Sequence, residues 1–319
     1  MSGPDPVGQV DAFAVPRFAG LRTFARLPRA DDVERLDVAV LGAPFDGGAT
    51  FRPGSRFGPA AIREASALLR PYSEPLDVSP FAEAQVADAG DAGANPFDIP
   101  EAHGAIEREA TALHNGGAAV LGLGGDHSVA LAFLRAAARR HGQLSLLQLD
   151  AHTDTWDAYY GAKVTHGTIF RRAAEEGLID PSRSVQIGLR GSVYASADYE
   201  ENRELGFHTL LARELDDSGV EGAAALARQH LTLPTYVTVD VDVLDPAFAP
   251  GTGTPESGGL TPRELLAILR ALAGGPRIVS ADVVEVSPSY DPAGVTALAA
   301  ANVAYDLVCL LVLARRQAG

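Results

Sequence analysis

Only one cysteine stands in 319 residues, Cys309, within an apolar stretch from Tyr305 to Ala314. No intramolecular disulfide can form, which fits a reducing compartment and leads us to expect a cytoplasmic protein with a buried thiol. Positive charge is scarce: 26 Lys and Arg face 41 Asp and Glu, for a net charge of −15. That balance argues against nucleic acid or an anionic membrane as partner, and it would draw in a small cationic substrate. No uninterrupted apolar run reaches the length of a membrane span, so no transmembrane helix is expected. The opening MSGPDPVGQVDAF lacks the charged-then-apolar pattern of an export signal. Internal repeats and low-complexity tracts are absent. Charged residues make up 21% and hydrophobic residues 46%, a composition that excludes disorder for most of the chain and allows a large core.

What is present is a set of acids and imidazoles at the ends of apolar runs. Leu144 to Leu149 ends in Asp150, His152 and Asp154. Alternate residues of an extended chain point to one side, so these three can converge. Such a short apolar run reads as a strand buried on both faces, as in a parallel sheet, whose sites lie beyond the carboxyl ends of the strands. Ala118 to Gly124 runs likewise into Asp126-His127, and Tyr236 to Val239 into Asp240 and Asp242, with Asp245 close behind. Carboxylates gathered this closely would repel one another and raise their pKa values unless cations cancelled the charge. Oxygen and imidazole ligands without a thiolate suit Mn²⁺ better than a structural zinc, and a two-metal site readies water for attack at neutral pH. Nickel or zinc could occupy the same ligand set.

With these residues assembled, the chain resembles the ureohydrolase (arginase/agmatinase) family. The motifs that carry the resemblance are Gly124-Gly125-Asp126-His127-Ser128, Asp150-Ala151-His152-Thr153-Asp154, and Asp240-Val241-Asp242-Val243-Leu244-Asp245-Pro246. Supporting stretches are Gly54 to Pro59, His166-Gly167-Thr168, Gln186 to Arg190, Pro250 to Pro255 and Asp282 to Val286, in the family's order from about Phe24 onward. The resemblance implies a three-layer α/β/α fold around a mostly parallel eight-stranded sheet. It implies two Mn²⁺ ions held by His127, Asp150, His152, Asp154, Asp240 and Asp242. It makes His166 the proton-shuttling histidine and Glu285 the partner of the substrate guanidinium. Asp126 and Asp245 read as anchors around the ligands. Trimers or hexamers of identical chains are a further implication.

Along the chain, residues 1–35 carry several prolines and no clear period; they read as an N-terminal arm used in subunit contacts, and 36–319 as a single catalytic domain. Strands are expected at Asp37 to Gly42, Val86 to Asp91, Ala118 to Gly124, Leu144 to Leu149, Ser184 to Leu189, Tyr236 to Val239 and Arg277 to Val286. Helices are expected at Pro59 to Ala65, Glu101 to Asn115, Val129 to His141, Ile169 to Leu178, Val220 to His230, from Thr261 through a capping box, and Thr296 to Arg315. Strand, ligand turn and helix alternate through the centre, the signature of βαβ units. Ser192 to Gly206 reads as a polar excursion. Arg52 and Arg56 are expected to pair with acids in a rigid turn, and His103, His114, His141, His208 and His230 to be incidental surface residues.

The expected reaction is hydrolysis of a guanidino group to urea and an amine. Glu285 would hold the planar cation by a charge-assisted pair and His166 would protonate the departing amine. Substrate choice is assigned to the loop Thr155 to Thr165. Agmatine comes first, its far ammonium met by Asp157 or by the faces of Trp156, Tyr159 and Tyr160. The alternative is a guanidino acid such as 4-guanidinobutyrate, 3-guanidinopropionate or a proclavaminate-like acid, with Lys163 or Arg190 receiving its carboxylate. A non-catalytic metal-binding subunit is the remaining reading; such a protein would be expected to have lost ligands, and none is missing.

Overall fold

The computed structural model describes residues 5–318. In chain order its strands are β1 (Val38–Ala43), β2 (Val86–Asp91), β3 (Ala119–Gly124), β4 (Ser145–Leu149), β5 (Val185–Leu189), β6 (His208–Leu211), β7 (Thr235–Asp240) and β8 (Ile278–Val284). They form one sheet in the order β2-β1-β3-β8-β7-β4-β5-β6, with every neighbouring pair parallel. The helices are α1 (Gly58–Ser66), α2 (Pro80–Glu83), α3 (Ile99–Asn115), α4 (Ala130–His141), α5 (Ile169–Glu175), α6 (Ala197–Glu204), α7 (Ala212–His230), α8 (Pro262–Arg270) and α9 (Val295–Ala318).

Period-two alternation along the strands builds two cores, one on each face. Val38, Val40, Leu121, Leu123, Leu147, Leu149, Val237, Val239, Ala281 and Val283 pack on one side with residues of α1, α7, α8 and α9. Leu41, Ala43, Val120, Leu144, Leu146, Tyr236 and Val279 face the other side with residues of α3, α4 and α5. The result is the expected three-layer α/β/α fold, with a sheet that is parallel throughout. α9 is apolar and long enough to cross a membrane, yet most of it is buried within the fold. It is a core helix, and its one acid in that stretch, Asp306, is buried and accepts from Arg270 Nε at 2.7 Å.

The expected strands and helices lie where the patterns put them, to within a residue or a few. Thr261 caps α8 in a reciprocal box: Glu264 N donates to Thr261 Oγ1 at 3.3 Å and Thr261 N to Glu264 Oε2 at 2.8 Å. The polar excursion, by contrast, contains α6, and β6 follows it. α6 shows no apolar stripe because Asn202 is its buried residue, and β6 is a short, half-buried edge strand. α7 is longer than expected and is broken at Gly219, where φ is 61°.

The chain before β1 is tied to the sheet. Phe24, Ala25 and Leu27 are buried in the core, and Phe24 N donates to Asp88 Oδ2 at 2.6 Å. Asp88 is also held by Arg63, through Nε at 2.8 Å and Nη2 at 3.0 Å, while Arg63 Nη1 reaches Asp91 at 2.5 Å. Removing one partner of a buried pair strands the other charge, so Arg63→Ala is expected to cost about 3–5 kcal/mol in urea denaturation. A change under about 1 kcal/mol would mean that water, not Arg63, satisfies Asp88.

Candidate active site

Four neighbouring strands, β3, β8, β7 and β4, deliver the functional side chains at their carboxyl ends. The end of β3 is threaded tightly against the loop after β1. A Cβ on Gly125 would lie 1.8 Å from the Phe45 carbonyl oxygen, so only glycine fits. Asp126 then caps the turn, accepting from Ser128 N at 2.9 Å and Gly48 N at 2.6 Å, and the turn projects His127 inward.

The six acids and imidazoles singled out in the sequence meet in two groups that share Asp150. His127 Nδ1 lies 3.1 Å from Asp150 Oδ2, 2.9 Å from Asp154 Oδ2 and 3.4 Å from Asp240 Oδ2. His152 Nδ1 lies 3.5 Å from Asp150 Oδ1 and 3.0 Å from Asp242 Oδ2. His127 Nδ1 and Asp242 Oδ2 are nevertheless buried without a hydrogen-bond partner. Close approach without hydrogen-bond geometry is what lone pairs aimed at a common point produce. The donor set therefore fits two cations, one held by His127, Asp150 and Asp240 with Asp154 beside them, the other by Asp150, His152 and Asp242. Asp154 takes φ of 52°, a left-handed conformation uncommon outside glycine, which the surrounding contacts must hold in place.

A row of polar side chains crosses the sheet just beneath these ligands. Gln186, Gln148, Thr238 and Asp282 are register partners on β5, β4, β7 and β8. Asn202 Nδ2 donates to Gln186 Oε1 at 2.6 Å, Gln186 Nε2 to Gln148 Oε1 at 2.6 Å, and Gln148 Nε2 to Asp150 Oδ2 at 2.7 Å. On the other half, Tyr236 and Thr238 hydroxyls each donate to Asp282 at 2.5 Å. With its proton committed to Asp282, Thr238 Oγ1 can only accept from His127 Nε2, 2.8 Å away. That fixes the proton on Nε2 and leaves Nδ1 bare for a cation.

Glu285 follows β8 with φ of 66°. Its Oε1 accepts from His127 N at 2.9 Å and lies 3.1 Å from His166 Nδ1, whereas Oε2 is buried and unpartnered. His166 Nε2 is 2.7 Å from Thr50 Oγ1. Burial lowers the His166 pKa, but the Glu285 hydrogen bond and the charges of Glu285, Asp154 and Asp126 outweigh it and push it up to about 9. Burial and the Glu285 charge raise Asp126 to about 7.

Beside these groups opens a cavity of about 500 Å³, lined among others by His152, Asp154, His166, Trp156, Tyr159 and Tyr194. Trp156, Tyr159 and Tyr194 form an aromatic cluster with ring centroids 5.8–6.1 Å apart. Four expected substrate contacts do not line it. Asp157 is taken by Arg172 Nη2 at 2.8 Å and Lys163 Nζ at 3.5 Å, on the exposed side of the loop. Tyr160 is 96% exposed at a turn tip. Arg190 turns inward behind the ligand loop, donating to the carbonyls of Asp242, Val243, Leu244 and Glu256. Arg56 pairs with Asp46 as expected, but Arg52 does not pair with an acid among the described residues; it lines the cavity with Glu256. His103 and His114 are buried rather than on the surface, and His103 Nε2 lies 3.1 Å from Ser128 Oγ. Gln148 and Gln186 had a legible signal, a lone amide inside an apolar strand. Thr50, Tyr194 and Glu256 had none.

Without cations, burial and neighbouring charge raise Asp154 to about 6, and raise Asp240 and Asp242 as well; the surrounding carboxylates outweigh burial to raise His127 and His152. Asp150 alone shifts down. For each raised group the folded state binds more protons than the unfolded chain, so metal-free stability falls as pH rises from about 4 through 7. Chelated protein should melt at lower temperature at pH 8 than at pH 5.5, and Mn²⁺ addition should release protons. Titration calorimetry in two buffers of different ionisation enthalpy reads that release; identical heats would reject the shared cluster.

The arginase family model matches residues 36–309. Guanidinopropionase of Pseudomonas aeruginosa is 47% identical over 310 residues, covering 97% of this chain and 96% of its own. Mitochondrial agmatinase of Gallus gallus is 43% identical over 93% of this chain and 87% of its own. The structure of proclavaminate amidino hydrolase from Streptomyces clavuligerus superposes with a TM-score of 0.88 at 44% identity, covering 94% of this chain and all of that one. The chain belongs to the arginase family, hydrolytic enzymes that act on linear guanidino compounds.

Proposed function

We propose that the enzyme removes the guanidino group of a small linear ω-guanidino compound by hydrolysis, with His127, Asp150, His152, Asp154, Asp240 and Asp242 as ligands of two Mn²⁺ ions. The observation that carries this reading is Glu285. One of its oxygens is anchored by His127 N and by His166, which lines the cavity, and the other is buried and unpartnered. A planar cation with N–H groups is what such an oxygen lacks.

When bound, the cations supply the charge that ionises water near neutral pH. The chain's own residues do the rest. Glu285 Oε2 accepts from the guanidinium and orients its carbon. Water adds to that carbon, and the bond to the alkyl nitrogen breaks. His166, protonated, hands its proton toward that nitrogen and regains one from the water consumed, so the substrate cation and one water become urea and an alkylammonium. Thr50 Oγ1 and Glu285 hold the His166 ring in place for the transfer. The Glu285 hydrogen bond and charge, the largest upward contributions to the His166 pKa, favour the protonated donor.

The relatives are named for guanidinopropionate, proclavaminate and agmatine, so at the reacting end both an acid and agmatine suit this chain. We place the enzyme in the cytoplasm, as a homotrimer or homohexamer with residues 36–319 as the catalytic domain; the preceding arm lends Phe24, Ala25 and Leu27 to the core of that domain and its other residues to subunit contacts.

Urea release from agmatine, 3-guanidinopropionate, 4-guanidinobutyrate and arginine, with Mn²⁺ present, is the direct test; no urea from any of them rejects the reading. Asp242 stands in one cation group and Asp150 in both. Asp242→Ala is expected to lose activity and one metal equivalent, and Asp150→Ala both equivalents, by metal analysis of the folded protein. Equal loss in the two variants would contradict a shared carboxylate.

A further inference from the structure

We infer that Arg52 is the receptor for a carboxylate at the far end of the substrate, so that the enzyme selects short ω-guanidino acids over agmatine; this rests on the amidinohydrolase reading above. Arg52 lines the cavity, and no carboxylate among the described residues pairs with it. Its guanidinium is held instead by two ring faces, 5.0 Å from the Tyr290 centroid and 5.6 Å from that of Phe51. Aromatic faces position a cation without neutralising it, which leaves the guanidinium able to take an anion.

Arg52 and Glu285 are also neighbours across Gly253. A Cβ on Gly253 would lie 3.2 Å from Glu285 Oε2 and 3.4 Å from the Arg52 carbonyl oxygen. The Arg52 backbone therefore runs alongside the oxygen proposed to take the guanidinium, and Arg52 lines the adjoining cavity. Two fixed charges of opposite sign, one at each end of a short aliphatic chain, match a guanidino acid. The aromatic cluster of Trp156, Tyr159 and Tyr194 lines the methylene section.

Glu256 is the competing group, since a free carboxylate at the same cavity could hold the ammonium of agmatine. Arg190, behind the same loop, donates to the Glu256 backbone carbonyl at 2.7 Å. Its carboxyl group is packed over Gly191, where a Cβ would meet the Glu256 Cδ at 2.5 Å. Arg52 is the only arginine or lysine among the residues lining the cavity, and no carboxylate among the described residues pairs with it. Lys163, the only lysine in the sequence, is occupied by Asp157 outside the cavity.

The test compares kcat/KM for 3-guanidinopropionate and 4-guanidinobutyrate with that for agmatine, in Mn²⁺-loaded wild type, Arg52→Gln and Arg52→Lys. Wild type should prefer an acid. The acid-to-agmatine ratio should fall about 10- to 100-fold in Arg52→Gln, the range for a lost charge-assisted bond, through KM, with Arg52→Lys in between. Inhibition by the product 4-aminobutyrate should weaken in Arg52→Gln more than inhibition by putrescine. Wild-type preference for agmatine, or an equal loss on acid and base, overturns the assignment while leaving the amidinohydrolase intact. Absence of urea from every compound instead removes the activity and the assignment together.

Discussion

Asp150 belongs to both cation groups, and the carboxyl-end face of the sheet is built around holding it there. One oxygen turns toward His127 and the other toward His152. Its position is overdetermined: His152 N donates to Oδ1 at 2.6 Å, Gln148 Nε2 to Oδ2 at 2.7 Å, and its own N bonds the Ile187 carbonyl. Asp242, which completes the second group, is in turn fixed by Ala151 N at 3.1 Å. The ligands thus brace one another through backbone amides before any ion is considered. Braced carboxylates cannot relax apart, and that rigidity is why the protons or cations between them matter to the stability of the fold.

The polar row beneath the ligands converts sheet register into chemistry. A parallel sheet places residues of adjacent strands side by side at fixed spacing. Here that spacing sets Gln186, Gln148, Thr238 and Asp282 in one line, with donors running toward Asp150 on one half and toward Asp282 on the other. Each of the four is fully buried, and each finds partners, so the row avoids the penalty of an unsatisfied polar group in the core. Asn202 ends the line from α6, which links the segment carrying Tyr194 to the shared carboxylate.

What could be read from the sequence divides along the same physical lines. Local order was legible: an apolar strand, an acid-bearing turn and a capped helix each announce themselves within about ten residues. The convergence of His127, Asp150 and Asp242 was legible because a strand end projects alternate side chains to one side. Side-chain direction in loops was not. Arg190 could have served a carboxylate ligand as well as any arginine, but the strand end turns it toward backbone carbonyls. Lys163 and Tyr160 sit between two functional motifs and still point outward, because the turn at Tyr160, with φ of 49°, reverses the chain away from the cavity. α6 escaped notice because its single inward residue is an amide.

The reacting end and the far end of the cavity obey different constraints. At the reacting end, His166 touches Glu285 on one side and Thr50 on the other, so a change in either misaligns the ring. At the far end, Arg52 is held only by ring faces, and Glu256 by packing over a glycine. Such contacts give up little when a side chain is exchanged. A scaffold arranged this way can keep the chemistry of a guanidinium while altering which charge it meets several carbons away. Relatives named for an acid and for agmatine, each above 40% identity to this chain, fit that division of labour. In this chain the side chain we propose to meet the far end of the substrate is Arg52, which lines the cavity without a carboxylate partner among the described residues.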